Sequence, residues 1–448
     1  MQRFIETQRT HLAGVDYASL YEWSISEPAE FWAKIWELCE IRASAPYTTV
    51  VEDHERMPGA RWFPGARLNF AENLLRRGGD APAIVFANEA GERLELSFSE
   101  LRAQVASVAA ALRGLGVEPG DRVAGFLANR PETVIAMLAT ASLGAIWSSC
   151  SPDFGIEAVL DRFGQIAPKV LFATDGYFYG GKSIDSLPIV ARIATELPNL
   201  QKVVVVPYRN ARVDVARVPR AVKFAELVGT SAEAQFTQVA FADPLYILYS
   251  SGTTGAPKCI VHSVGGTLLQ HMKEHVLHTD IKPGDVVFYF TTCGWMMWHW
   301  LVSSLASGAT LVLYEGAPLH PDPGILWRLA ERESINVFGT SARYLSALEK
   351  SGYSPRKHVD LSALRTVLST GSPLAPTSFD FVYRDVKRDL QLSSIAGGTD
   401  LISCFALGNP TLPVHRGELQ CRGLGMRVEI FDERGRSVRQ QKGELVCT

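Results

Sequence analysis

The sequence predicts an α/β protein: two mainly parallel sheets with packed helices forming one composite large domain, plus the start of a small antiparallel β subdomain. Three observations lead there. From about residue 80 onward, short runs rich in Val, Ile, Leu and Phe alternate with stretches of helical periodicity. Those runs fall into two series, the second beginning at Leu245. After Pro413 the pattern changes to strand-like runs joined by a turn. Strands that alternate with helices are linked by crossovers, which makes them mainly parallel and covers both faces of their sheets.

Taken in order, residues 1–75 read as an extension packed on something larger. Phe31, Trp32, Ile35, Trp36 and Leu38 recur at helical spacing, and the turn-rich Arg61-Trp62-Phe63-Pro64-Gly65 follows. Residues 76–240 read as a first α/β subdomain. Strands are expected at Ala83–Phe86, Arg122–Leu127, Val170–Ala173 and Val203–Val206, and helices at Phe98–Leu115 and Pro131–Leu143. Ser97 or Ser99 is placed to cap the first of these helices. Residues 241–410 read as a second α/β subdomain with strands at Leu245–Tyr249, Val286–Phe290, Thr310–Tyr314 and Thr366–Ser369. In residues 411–448, Val428–Phe431 and Gly443–Cys447 flank the turn Asp432–Gly435, which predicts an antiparallel hairpin. Thr448 falls inside that last strand-like run, so the chain is expected to be truncated there.

Composition narrows the function. At roughly 150 residues per domain, 448 residues suit a large composite body. A hydrophobic fraction of 47% supplies a deep core and excludes disorder. Lys and Arg total 44 against 47 Asp and Glu, and this near-balance argues against nucleic acid as a partner. Seven cysteines form no C-x-x-C pair, which predicts reduced thiols in a cytoplasmic protein. The first residues lack the apolar core of a signal peptide. Residues 286–314 carry no charged side chain, but Thr291, Thr292, Gly294, His299, Ser303, Ser304 and Ser307 interrupt their apolar face. That segment reads as strand, loop, buried helix and strand, with no membrane insertion.

The stretch that carries chemistry runs from Ser250 to Lys258: Ser-Ser-Gly-Thr-Thr-Gly-Ala-Pro-Lys, entered from an apolar strand. A short Gly-Ser cluster is ordinarily a surface turn. Here four hydroxyls, two glycines and a closing lysine supply what phosphate oxygens need: close-approaching backbone N–H groups, O–H donors and one mobile cation. The Walker pattern fails, because Pro257 precedes Lys258 and Cys259 follows it, leaving no hydroxyl for a metal ion at that place.

This loop closely resembles the signature phosphate loop of the adenylate-forming, or AMP-binding, superfamily of acyl-CoA synthetases. Further segments fall in that family's order and approximate spacing. They are Arg67-Leu68-Asn69-Phe70-Ala71-Glu72-Asn73, Asn129-Arg130-Pro131-Glu132, Thr291-Thr292-Cys293-Gly294-Trp295, Ser369-Thr370-Gly371-Ser372-Pro373-Leu374 and Gly397-Gly398-Thr399-Asp400. The N-terminal extension and Gly294-Trp295-Met296-Met297-Trp298 resemble the short-chain members.

The resemblance implies an ATP-dependent acid–thiol ligase that forms an acyl-adenylate and passes the acyl group to coenzyme A. Ser250, Ser251, Gly252, Thr253, Thr254, Gly255 and Lys258 would hold the β- and γ-phosphates of ATP. Gly371, Ser372 and Pro373 would stack on adenine, with Ser372 standing where the family commonly has Glu. Gly398 and Thr399 would meet the α-phosphate side, and Asp400, in place of the usual Glu, would hold Mg²⁺. Thr253, Lys258, Thr399 and Asp400 are the expected catalytic residues. Trp295, Met296, Met297, Thr370 and Gly397 would line the acyl pocket. Gly397 stands where acetate-activating members have Trp, which implies space for a four-carbon β-keto acid such as acetoacetate, with the Thr370 hydroxyl or a main-chain N–H available to the keto oxygen. The alternative for Gly397 is a tight backbone path. Lys182, in Gly176-Tyr177-Phe178-Tyr179-Gly180-Gly181-Lys182, would meet the nucleotide end of coenzyme A, or be a solvated loop lysine. Family members continue into a ribose-binding aspartate, a hinge and a small mobile domain with a catalytic lysine. With that C-terminal domain missing here, weak nucleotide binding and poor turnover are expected. Another short acid such as acetate or propionate, or a non-catalytic nucleotide-binding role, remain as alternatives, and the oligomeric state is left open.

Overall fold

The computed structural model describes residues 1–12, 14–228, 232–250 and 255–448. Two seven-stranded sheets form the frame. The first runs, in spatial order, Ala221–Lys223, Lys202–Val206, Val170–Thr174, Arg122–Phe126, Ile146–Cys150, Pro244–Ser250 and Lys258–Ser263. The second runs Gln391–Ser394, Thr366–Thr370, Val337–Ser341, Val286–Tyr289, Thr310–Glu315, Pro82–Asn88 and Arg93–Ser97. Each sheet is parallel apart from one antiparallel pair at its edge, Pro244–Ser250 with Lys258–Ser263 and Pro82–Asn88 with Arg93–Ser97. The expected parallel α/β architecture is therefore present.

The two sheets exchange strands across the division expected at residue 240. Residues 82–97 complete the second sheet, and residues 244–263 complete the first. A local run of apolar residues marks a strand but carries no information about which sheet it closes, because that choice is made by packing between layers.

Packing explains the hydrophobic patterns. A central core joins Val123, Phe172 and Val204 of the first sheet to Phe86, Leu311 and Leu313 of the second. Between them lie the helices Pro131–Ser142 and Met296–Ser303, buried along their whole length. Two outer cores follow, one where the helices Ile156–Ile166 and Leu187–Glu196 cover the first sheet, the other where Ile325–Arg332, Ala342–Ser351 and Pro376–Phe381 cover the second. The uncharged segment 286–314 resolves into strand, loop, buried helix and strand as expected. Among the described residues no helix is long and apolar enough to cross a membrane. The helix Phe98–Gly114 starts at Ser97, whose hydroxyl accepts from Glu100 N while Glu100 reaches back to Ser97 N at 2.8 Å, a reciprocal capping box.

In the N-terminal extension, Phe31, Trp32 and Ile35 of the helix Pro28–Leu38 are buried, as their spacing predicts, while Leu38 stays exposed. The preceding helix Tyr17–Ser26 ties the extension to the far end of the chain. Tyr21 Oη donates to Met426 O at 2.9 Å, and Gly425 N donates to Ser24 Oγ at 2.9 Å. Small antiparallel units complete the fold, among them a three-stranded one of Ala396–Gly398, Ser403–Leu407 and Cys421–Arg422, and the expected hairpin of Val428–Phe431 with Glu444–Cys447. The seven cysteines carry no disulfide, and Cys39, Cys150, Cys293 and Cys404 are buried.

Candidate functional site

In open α/β sheets, ligands collect where the parallel strands end. The strand Pro244–Ser250 runs beside Ile146–Cys150 to that edge, and Lys258–Ser263 returns antiparallel to it. Ser250 and Lys258 are cross-strand partners, so the two ends of the intervening segment stand side by side. Ser250 is half-buried and Lys258 exposed. Gly255, with φ +95°, takes a left-handed conformation that favours glycine. Ser251, Gly252, Thr253 and Thr254 lie outside the described residues.

The second sheet supplies the other turns. The strand Thr366–Thr370 ends in the exposed Gly371-Ser372-Pro373, where Gly371 has φ +87°. Its neighbour Gln391–Ser394 leads through Ala396–Gly398 into the single turn Thr399–Leu401. That turn packs against the strand Pro244–Ser250. Asp400 is exposed there, and the His262 ring faces the Thr399 backbone and the Asp400 carboxylate. Burial pushes His262 down to about 4, against the opposing pull of those two groups, so the imidazole is neutral at pH 7. The strand Pro244–Ser250 and the turn Thr399–Leu401, more than 140 positions apart in the chain, thus meet.

Asn129 joins the loops at this edge. Its N–H donates to Glu315 Oε2 at 2.6 Å, its amide donates to Thr291 O and Tyr314 O at 3.2 Å each, and Trp298 Nε1 donates back to it at 2.9 Å. Ser149 Oγ, at the end of a first-sheet strand, donates to Cys293 O at 2.6 Å. Trp295 is held between these anchors as the N-cap residue of Met296–Ser303. It is 61% exposed, whereas Met296 and Met297 behind it are buried. An indole standing in solvent is available to a ligand.

Two residues of the expected acyl pocket are otherwise engaged. A Cβ placed on Gly397 would lie 2.4 Å from Ser403 O and 3.0 Å from Cys404 Cα, its partner across an irregular antiparallel pair. The missing side chain is therefore required by the neighbouring strand, which is the tight backbone path and not the enlarged pocket. The Thr370 hydroxyl donates to Ile395 O at 3.1 Å, so its proton is not directed to a ligand. Lys182 is exposed at the start of the second strand of the hairpin Gly176–Tyr179 with Lys182–Asp185. The hairpin's turn is fixed to the second sheet: Gly180 N, Gly181 N and Ala317 N donate to the Glu89 carboxylate at 2.9, 2.8 and 2.8 Å.

Sequence reasoning gave no role to His262, Glu315 or Glu89. Glu315 ends the strand Thr310–Glu315, and burial raises its pKa to about 7. Nothing in the local pattern around these residues distinguishes them from surface polar groups; only the assembly of two sheets buries or orients them.

Among the described residues no group of three or more His, Cys, Asp or Glu side chains could by itself hold a metal ion. Mg²⁺ bound with a nucleotide takes one or two carboxylates and completes its shell from phosphates and water. One exposed Asp400 in the turn packed on the strand Pro244–Ser250 fits that mode.

Comparison with known proteins agrees with the geometry. Residues 70–448 match the model of the AMP-binding enzyme family, and residues 17–74 match that of the acetyl-coenzyme A synthetase N-terminus. The chain belongs to the AMP-binding enzyme family. It is 52% identical to the acetoacetyl-coenzyme A synthetase of Rhizobium meliloti (strain 1021) over 97% of this chain and 67% of that protein. It is 48% identical to the acetoacetyl-CoA synthetase of Mus musculus over 98% of this chain and 66% of that protein. A solved structure, the acetoacetyl-CoA synthetase from Streptomyces lividans, superposes with a TM-score of 0.95 at 46% identity, covering 100% of this chain and 69% of that one. The chain thus spans about two thirds of the length of these relatives.

Proposed function

We propose that the chain carries the nucleotide and acyl sites of an acetoacetyl-CoA synthetase. The enzyme is an AMP-forming acid–thiol ligase that converts acetoacetate, CoA and ATP to acetoacetyl-CoA, AMP and diphosphate through an acyl-adenylate. The observation that carries this reading is the packing of the turn Thr399–Leu401 against the strand Pro244–Ser250, which pairs with the strand that opens at Lys258. Likeness to acetoacetyl-CoA synthetases over nearly all of this chain supports acetoacetate as the acid.

A carboxylate is a weak nucleophile, so the site must align it with the α-phosphorus and offset the charge that develops on the phosphates. Ser250, Gly255 and Lys258, with Ser251, Gly252, Thr253 and Thr254 between them, offer donors and a cation to the β- and γ-phosphates. Gly371, Ser372 and Pro373 form the wall for adenine, and Gly398 and Thr399 lie toward the α-phosphate. Asp400 would hold Mg²⁺, whose charge offsets that of the triphosphate when bound. Trp295, Met296 and Met297 line the acyl side, where an apolar, adaptable wall suits a small acid and excludes water. Lys182, on its anchored hairpin, is offered to a phosphate of coenzyme A. Neither Gly397 nor the Thr370 hydroxyl supports the choice of acetoacetate, given their other engagements.

The test is a panel of acetate, propionate, acetoacetate and 3-hydroxybutyrate, scored by acid-dependent diphosphate release and by CoA thioester formation. The reading expects acetoacetate to give the highest kcat/KM. A preference for acetate moves the assignment to a shorter acid within the same class, and nucleotide binding without diphosphate release for any acid refutes the ligase reading for this chain.

A further inference from the structure

Lys258 opens a strand that is the outer edge of its sheet. Edge strands lack a neighbour to hold their backbone in register. Yet a cation that discriminates one phosphate position from another must be held to a fraction of an ångström. The hairpin therefore needs a brace from outside the sheet, and the helix Ile156–Ile166 provides one.

Gln165 stands in the last turn of that helix. Its Nε2 donates to Pro257 O at 2.9 Å and to Asp161 O at 2.6 Å, and its Oε1 accepts from Cys259 Sγ at 3.6 Å. Both amide protons and the amide oxygen are engaged, and two of the three bonds land on the residues immediately before and after Lys258. One turn earlier, the Arg162 guanidinium lies 5.5 Å from the centre of the Tyr249 ring, and Tyr249 is the cross-strand partner of Cys259. Tyr249 Oη in turn accepts from Ser148 Oγ at 2.8 Å, linking it to the next strand. Both strands of the hairpin are thus gripped by one helix at the point where the phosphate-loop segment leaves and rejoins them.

We propose that Gln165 is a positioning residue for Lys258, fixing the register at which its ammonium meets the β- and γ-phosphates of ATP. The proposal rests on the reading of Lys258 as a phosphate ligand. Only a carboxamide at this place serves both flanking groups, because Pro257 presents a carbonyl and Cys259 an S–H. The three bonds are solvent-exposed, and such bonds contribute little to the stability of a large core. Their consequence is local order at Lys258, read as a selective effect on triphosphate.

The experiment measures MgATP and AMP binding to the full chain by calorimetry for the parent, Gln165→Ala, Gln165→Glu and Lys258→Ala. AMP has no β- or γ-phosphate, so it reports on the fold, the adenine wall and the α-phosphate side, and not on Lys258. Gln165→Ala is expected to weaken MgATP about five- to tenfold while AMP changes less than about twofold. Gln165→Glu sets carboxylate oxygens against the Pro257 and Asp161 carbonyls and is expected to weaken MgATP at least as much. Equal losses for both nucleotides in Gln165→Ala overturn the proposal, as does unchanged MgATP binding in that variant while Lys258→Ala loses it. If Lys258→Ala itself keeps full MgATP affinity, the phosphate-ligand reading fails instead. Should either Gln165 variant melt early, Cys259→Val removes one flanking bond without touching the helix. It is expected to show a smaller loss confined to MgATP, and no loss counts against the proposal.

Discussion

Both sheets end in an antiparallel hairpin, and the two hairpins differ in what they do with their polar groups. In residues 82–97 the turn closes mainly on itself: Asn88 Oδ1 accepts from Glu92 N at 2.9 Å, Asn88 Nδ2 donates to Glu92 Oε2 at 2.9 Å and to Tyr208 Oη at 3.1 Å, and Asn88 N donates to Glu92 O at 3.2 Å. Glu89, in the same turn, takes up three backbone N–H groups from two other loops. In residues 244–263, among the described residues, Pro257 and Cys259 bond to Gln165 of the helix Ile156–Ile166, and Lys258 is exposed. On the proposed function, the turn that receives a ligand is braced by a neighbouring helix, whereas the turn that joins strands spends its polar groups on itself and on the backbone of adjacent loops. In the small sheet beside the Thr399 turn, a side chain on the exposed Gly397 would run into Ser403 O of the strand facing it.

The largest expected effect comes from forcing a ligand role on a consumed position. Gly397→Trp drives a side chain into Ser403 O and is expected to lower stability by about 3–5 kcal/mol. Chemical denaturation measures this, and a stable variant with raised acetate use would restore the enlarged-pocket reading. Next, Lys258→Ala is expected to slow acetoacetate-dependent diphosphate release by about 100-fold while leaving the melting temperature within about 1–2 °C. A large fall in melting temperature would place Lys258 among the consumed groups instead.

Glu315 sharpens the contrast through pH. Its folded pKa, about 7, lies above that of an unfolded glutamate, so the folded state binds its proton more tightly. Its contribution to stability is complete below the unfolded value and declines as pH rises toward the folded one. The parent is therefore expected to lose about 1–3 kcal/mol relative to Glu315→Gln between pH 4.5 and pH 7.5, read from denaturation midpoints at the two pH values. Parallel curves would mean that the carboxyl is ionised in the folded state. The smallest effect belongs to the self-closed hairpin: Asn88→Ala is expected to cost about 1 kcal/mol with no change in the KM for ATP. A raised KM there would erase the distinction between the two turns.

Much of the architecture could be read from the chain. The helix after Ser97, the buried segment 286–314 and the terminal hairpin follow from periodicity, a capping residue and a turn. The exchange of 82–97 and 244–263 between sheets could not be read, because strand propensity is local and sheet membership is not. At the site, the hydroxyl-glycine-lysine stretch and the Thr399–Asp400 turn carry recognisable side chains, and the packing of that turn on the strand Pro244–Ser250 required coordinates. Gly397 had two readings in the sequence, and only the position of Ser403 O separates them. Gln165 and His262 were invisible for another reason. Their significance lies wholly in what stands opposite them, and a glutamine near the end of an amphipathic helix looks like any solvated residue.

The bonds from Tyr21 and Ser24 to Met426 and Gly425 have a consequence for the newborn polypeptide. Their partners are made more than 400 positions later, which at about 5–20 residues per second is a delay of roughly 20–80 s on the ribosome. Throughout that interval Tyr21 and Ser24 lack these partners, so the hold of the helix Tyr17–Ser26 on the rest of the fold is completed only when translation reaches the 420s.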